Sequence, residues 1–175
     1  MKRKKIKIPL VLVCIIVFFF TYSWFKNNPI GAKESIEFYI SEKVNSKNMS
    51  ELSEKEKIAI GKNLIVKELS VFEMNKKDDI KQLATELYTY EYRAIGEQTL
   101  IKNFQPGRIE DLRYKFNSDK VSKYENGFKY NVSVQVFGLD NKVNKKVEMI
   151  IDYELDIVKE SDGFKMNYQK KNIMN

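Results

Sequence analysis

Residues 147–158, VEMIIDYELDIV, set Val147, Met149, Ile151, Tyr153, Leu155 and Ile157 at every second position. Successive strand side chains point to opposite faces. The pattern therefore specifies one apolar face and one polar face that carries Glu148, Asp152, Glu154 and Asp156 beside Ile150 and Val158. Tyr130, Val132, Val134 and Val136 repeat the period upstream, and Phe164, Met166 and Tyr168 repeat it downstream. Asn126-Gly127 and Asp162-Gly163 are two-residue hairpin signals, expected as type I′ turns with positive φ at both central positions. The expectation is an antiparallel meander with strands near 113–124, 128–137, 146–158 and 164–170, and a longer loop from Gly138 to Lys145.

Upstream the period is helical. Ile36, Tyr39/Ile40 and Val44 have helical spacing from Ala32 to about Asn45, and Ser53-Glu54-Lys55-Glu56 is a capping box that starts a second helix at Glu54. The stretch 63–73, NLIVKELSVFE, fits a helix or a strand. Asp78-Asp79 opens a third helix with Ile80, Leu83, Ala84 and Leu87 on one face. Tyr88, Tyr90 and Tyr92 then alternate with Thr89 and Glu91, which suits a strand, while 86–104 as a whole is left open between helix and strand. Helices followed by a meander with one apolar face make an α+β fold, the helices covering that face.

The N-terminus adds a membrane anchor. Lys2, Arg3, Lys4, Lys5 and Lys7 precede an uncharged run from Ile8 to Phe25, which as a helix covers roughly 27 Å, about a bilayer's hydrocarbon thickness. No small-residue cleavage pattern follows it, and Cys14 lies mid-run after Val13, where a lipoprotein signal would not place it. Basic residues mark the cytoplasmic side, so the reading is a cytoplasmic tail (1–7), a single transmembrane helix (8–25), a short stalk (26–31) and an extracytoplasmic α+β domain (32–175). Of the 31 Lys plus Arg, the five in the tail leave 26 against 24 Asp plus Glu. Most of the net +7 is therefore a topology signal, which argues against a nucleic-acid partner.

The chain has no histidine, and its one cysteine is Cys14. Histidine-dependent nucleophilic triads, thiolate zinc sites and disulfide staples are thus excluded within the outer domain of a single chain. No cofactor or metal is expected, and the domain must hold itself by its core.

AKESIEFYISEKVNSKNMSELSE resembles the opening helix and turn of the nuclear-transport-factor-like (cystatin-like cone) superfamily, and YELDIVKESDGFKMN resembles its closing hairpin. The resemblance spans residues 32–171 and implies helices packed on a curved antiparallel sheet. With the basic tail and anchor, the layout is also similar to the bitopic assembly subunits of type IV secretion and conjugation systems, by architecture alone. Enzymes of the cone family place an acid-base residue inside the cone, but no motif here receives that role.

Three constellations are candidate sites. Tyr88, Tyr90 and Tyr92 would line a pocket in the mouth of a cone. Arg108, Arg113, Lys115, Lys120 and Lys123, interleaved with Tyr114, Phe116 and Tyr124, would form an interaction surface for anionic lipid or an acidic partner. Asp152, Glu154 and Asp156 would share a wet face with Lys129, Asn131, Ser133 and Gln135 on one neighbour and Lys165, Asn167, Gln169 and Lys171 on the other, a pattern that cross-strand ion pairs explain without a ligand. The functional expectation is a non-enzymatic, membrane-anchored domain that binds envelope proteins or itself, as a structural or assembly subunit of an envelope complex. The alternatives are a tethered small-molecule or enzymatic cone, and a membrane-held immunity or inhibitor protein.

Overall fold

The computed structural model describes residues 42–107 and 109–174. The expected anchor, the stalk, most of the opening helix and Arg108 lie outside the described residues. Among the described residues, no helix is long and apolar enough to cross a membrane. The chain runs α1 (Glu42–Ser46), a 3₁₀ turn (Met49–Glu51), α2 (Glu54–Leu69), a 3₁₀ turn (Ser70–Phe72), α3 (Asp79–Leu87), α4 (Arg93–Asn103), β1 (Ile109–Tyr124), β2 (Gly127–Asp140), β3 (Lys145–Glu160) and β4 (Gly163–Met174). The four strands form one antiparallel sheet in the order β1-β2-β3-β4. Helices pack on one face, so the fold is α+β as the alternation implied.

The capping box starts α2 as expected. Glu56 N donates to Ser53 Oγ while Glu56 Oε2 accepts from Ser53 N at 2.8 Å, satisfying free N–H groups of the first turn. The ambiguous 63–73 stretch is helical to Leu69 and closes as 3₁₀. Ile60, Leu64, Ile65 and Leu69 of α2 and Ile80, Leu83, Ala84 and Leu87 of α3 are buried against Phe128, Tyr130, Val132, Val134 and Val136 of β2 and Ile151, Tyr153, Leu155 and Ile157 of β3.

Several expectations need correction. The loop from Gly138 to Lys145 is shorter, because pairing continues to Asp140↔Lys145. Both hairpins sit where expected but are not type I′: Tyr124↔Gly127 and Glu160↔Gly163 close them, and the loop residues Glu125–Asn126 and Ser161–Asp162 have no positive φ. The glycines serve the strands instead. Gly163 has φ +137, and a Cβ on Gly127 would stand 1.9 Å from Ile157 O. Tyr88–Tyr92 is not a strand. Tyr88 makes one parallel bridge to Met166, and the Thr89 hydroxyl then accepts from Tyr92 N, turning the chain into α4.

The largest correction lies in β4. A bulge leaves Asn167 without a partner on β3, because Met166 pairs with Ile157 and Tyr168 with Asp156. One extra residue reverses the faces beyond it. Tyr168, expected in the core, is 41% exposed, whereas Gln169 and Lys171, expected on the wet face, pair with Leu155 and Tyr153 on the helix side.

The acidic row of β3 stays on the open face. Lys129 Nζ lies 2.7 Å from Glu154 Oε1 and 3.4 Å from Asp156 Oδ1, the cross-strand pairing the alternation implied. Asp156 is nevertheless buried, flanked across the strands by Lys129 and Tyr168. Replacing Asp152 or Glu154 by Asn should change stability by less than about 1 kcal/mol, because exposed ion pairs are weak. Leu155→Ala should cost on the order of 2 to 5 kcal/mol in chemical denaturation of residues 32–175. Equal costs at Glu154 and Leu155 would contradict this assignment of faces.

Glu56 gives the fold an acid limit. Hydrogen bonds from Lys47 and from Ser53 hold its pKa at about 2, below the ordinary 4.5. A depressed carboxyl contributes stability that is present above the unfolded value and is lost as pH falls from about 4.5 towards about 2. Glu56→Gln should flatten that limb of an acid titration followed by circular dichroism; an unchanged limb would show that other carboxylates control it.

Candidate functional site: a buried carboxylate under the sheet

One carboxylate stands on the apolar stripe of α2. Glu68 follows Leu64 by one helical turn and is only 2% exposed. An ionised carboxylate cannot be moved into an apolar interior unless its charge and lone pairs are met there. Lys171 Nζ lies 2.6 Å from Oε1, Gln169 Nε2 donates to Oε2 at 2.7 Å, and the Tyr88 hydroxyl donates to Oε1 at 3.1 Å. The bulge at Asn167 turns Gln169 and Lys171 to this side, and the end of α3 delivers Tyr88.

Two more tyrosines complete the cluster. Tyr153 is buried beside the same carboxylate and carries Lys171 Nζ over its ring, 5.7 Å from the centroid. Among the described residues its hydroxyl has no partner in hydrogen-bonding geometry. Tyr92 meets Tyr88 edge-on at 5.7 Å and donates to Gln169 O at 3.2 Å. The Tyr88 ring lies flat on α4, where a Cβ on Gly96 would come within 2.3 Å of it. Burial first, then the Glu68 charge, pushes the Tyr88 and Tyr153 hydroxyls well above their ordinary range, so both stay protonated.

The other edge of the sheet repeats the device on a smaller scale. Ser118, at φ +59, lies in a bulge of β1 between Asn117 and Lys120. The neighbouring Asp119 reaches Lys62 Nζ at 2.6 Å and accepts from the Tyr130 hydroxyl. Among the described residues, no group of three or more acidic, histidine or cysteine side chains is placed to hold a metal.

The expected tyrosine pocket does not form as a set. Tyr88 belongs to the buried cluster, Tyr92 covers it, and Tyr90 is 80% exposed beside Arg93. Nor do the basic residues make one patch. Arg113, Lys115 and Lys120 pair with Phe137, Gln135 and Asn131 on the open face, whereas Lys123 pairs with buried Phe128 and lies on the helix side. Tyr114 and Phe116 turn towards the core. Arg108 lies outside the described residues.

At the end of the sheet bearing the β2–β3 turn, an apolar groove of about 480 Å³ opens between Phe72, Leu112, Val136, Val147, Met149 and Ile173. The reading from sequence missed both this groove and Glu68. The groove gathers residues from several elements, whereas Glu68 left a signal: a lone carboxylate at i+4 from Leu64 on an apolar stripe.

The chain matches no protein-family model, and no characterised protein matches it in sequence. Solved structures with a similar chain path include the Kfla4162 protein from Kribbella flavida, at 10% identity over 69% of this chain and 90% of that one, with a TM-score of 0.48. Aln2 from a Streptomyces species is similar at 10% identity over 69% of this chain and 92% of that one, with a TM-score of 0.47. At this level of likeness no family, ligand or activity is carried over.

Breaking the buried pair should be costly. Glu68→Ala strands Lys171 and should destabilise residues 32–175 by about 3 to 5 kcal/mol, whereas Glu68→Leu combined with Lys171→Met should recover most of that loss. Denaturant midpoints of the two variants test this; a single-variant loss under about 1 kcal/mol would mean that the pair is not desolvated.

Proposed function

We propose that this chain is a single-pass membrane protein whose extracytoplasmic domain, a cystatin-like cone, works by binding other proteins as a structural or assembly subunit of a bacterial envelope complex. The observation that carries this reading is the burial of Glu68 among donors of its own chain. A general acid or base has to present a free lone pair or proton to a substrate. Here Lys171, Gln169 and Tyr88 already occupy both carboxylate oxygens, and the residue is 2% exposed. Around Glu68 the helix side of the sheet is packed with the protein's own side chains, Tyr88, Tyr153 and Met166 among them. Apolar surface is accessible at the end carrying the groove, where Val143 and Ile173 are 59% and 56% exposed, as well as at the start of α4, where Tyr90 and Ile95 are 80% and 57% exposed. Exposed apolar surface of that kind marks places where partners bind.

Affinity purification of the full chain from gently solubilised membranes should recover envelope proteins in stoichiometric amounts, with Glu68→Gln recovering the same set wherever it folds. A chain that purifies alone with a bound small molecule would overturn this reading in favour of a tethered ligand-binding cone.

A further inference from the structure

We infer that the free end of β4 and the groove beside it form a strand-addition site for an extended segment of a partner protein in which apolar and acidic residues alternate. The inference rests on the protein-binding reading above and specifies the partner's chemistry.

The outer edge of β4 is occupied only in part. Thr89 N donates to Met166 O at 3.1 Å and the Tyr92 hydroxyl to Gln169 O at 3.2 Å, and there the covering segment turns away into α4. Among the described residues, β4 pairs from Lys170 to Met174 with β3 on one side only. An unpaired edge presents N–H and C=O groups to any strand that can lie beside it, and extended peptides bind sheets in this way.

The side chains define what can lie there. Ile173, 56% exposed, is on the helix side and lines the groove, while Met174 pairs with Ile150 on the open face, both exposed. Lys102, Lys142, Lys145 and Lys146 are exposed at this end, and none forms an ion pair among the described residues, while Lys170, also exposed, lies across from Glu154. Of the carboxylates, exposed Glu148 on β3 accepts from Gln135 Nε2, Asp152 and Glu154 lie across from Asn172 and Lys170, and Glu110 and Asp111 stand on β1 at the opposite edge of the sheet. An added strand that points apolar residues into the groove and runs on past Met174 thus approaches the unpaired lysines of α4 and the β2–β3 hairpin, and acidic residues complement them. A second copy of this chain fits less well, because pairing β4 with itself brings two such basic ends together.

The test uses the full chain in detergent micelles with two synthetic dodecapeptides, one alternating Val and Glu and the other Val and Lys. Hydrogen exchange should show residues 170–174 protected by the Val-Glu peptide and unaffected by the Val-Lys peptide. Ile173→Lys and Lys170→Glu, each with an unaltered circular dichroism spectrum, should bind the Val-Glu peptide at least tenfold more weakly. Equal protection by both peptides, protection confined to other elements, or concentration-dependent protection without peptide would overturn the inference, the last by assigning the edge to a second copy. If Ile173→Lys still copurifies with the full set of envelope proteins, strand addition fails while the protein-binding reading stands. If the parent chain copurifies with none, the protein-binding reading itself fails and the inference falls with it.

Discussion

The ion pair between Glu68 and Lys171 ties this domain together across its core. A carboxylate withdrawn from water has to be neutralised where it stands, and separate pieces of chain meet that demand. Lys171 and Gln169 come from the edge strand, and Tyr88 from the end of α3. Each contact constrains the next, because Tyr92 caps Gln169 and the Tyr88 ring rests on the backbone of α4 at Gly96. The third helix, the fourth helix and the last strand are thus positioned around one charge on the second helix.

Irregularity in the strands makes this possible. The bulge at Asn167 turns Gln169 and Lys171 under the sheet, and the bulge at Ser118 accompanies Asp119's contacts with Lys62 and Tyr130. Both outer strands therefore contribute a polar anchor to α2, while the two central strands supply unbroken apolar faces. A bulge at an edge is a common way to re-aim a side chain, and here each one reaches the same helix.

The domain is divided into a closed interior and an open end. Inside, the polar groups are largely spent on one another. At the end formed by the β2–β3 turn, apolar side chains line a groove, lysines stand exposed, and an edge strand runs past the segment that covers its first half. The buried network ties that edge strand to α2 through Lys171 and Gln169.

The meander, its apolar face, the start of α2 at Ser53 and the apolar stripe of α3 were all legible in the sequence, because period and capping are local properties that tertiary packing had no reason to override. Lys129 beside Glu154 was legible for the same reason. The fate of Gln169 and Lys171 was not. An alternating pattern shows that a strand has two faces, but a single unpaired residue exchanges them, and nothing in Met166-Asn167-Tyr168 marks the slip. The three alternating tyrosines likewise read as a strand until Thr89 turned the chain at Tyr92. Sequence alone determined where the meander, the start of α2 and the stripe of α3 would lie and which broad chemistries lacked their residues, while 63–73 and 86–104 stayed open between helix and strand. Tertiary structure decided which charges would be buried, since that choice depends on partners dozens of positions away, and Glu68 meets Lys171 only once the whole chain has folded.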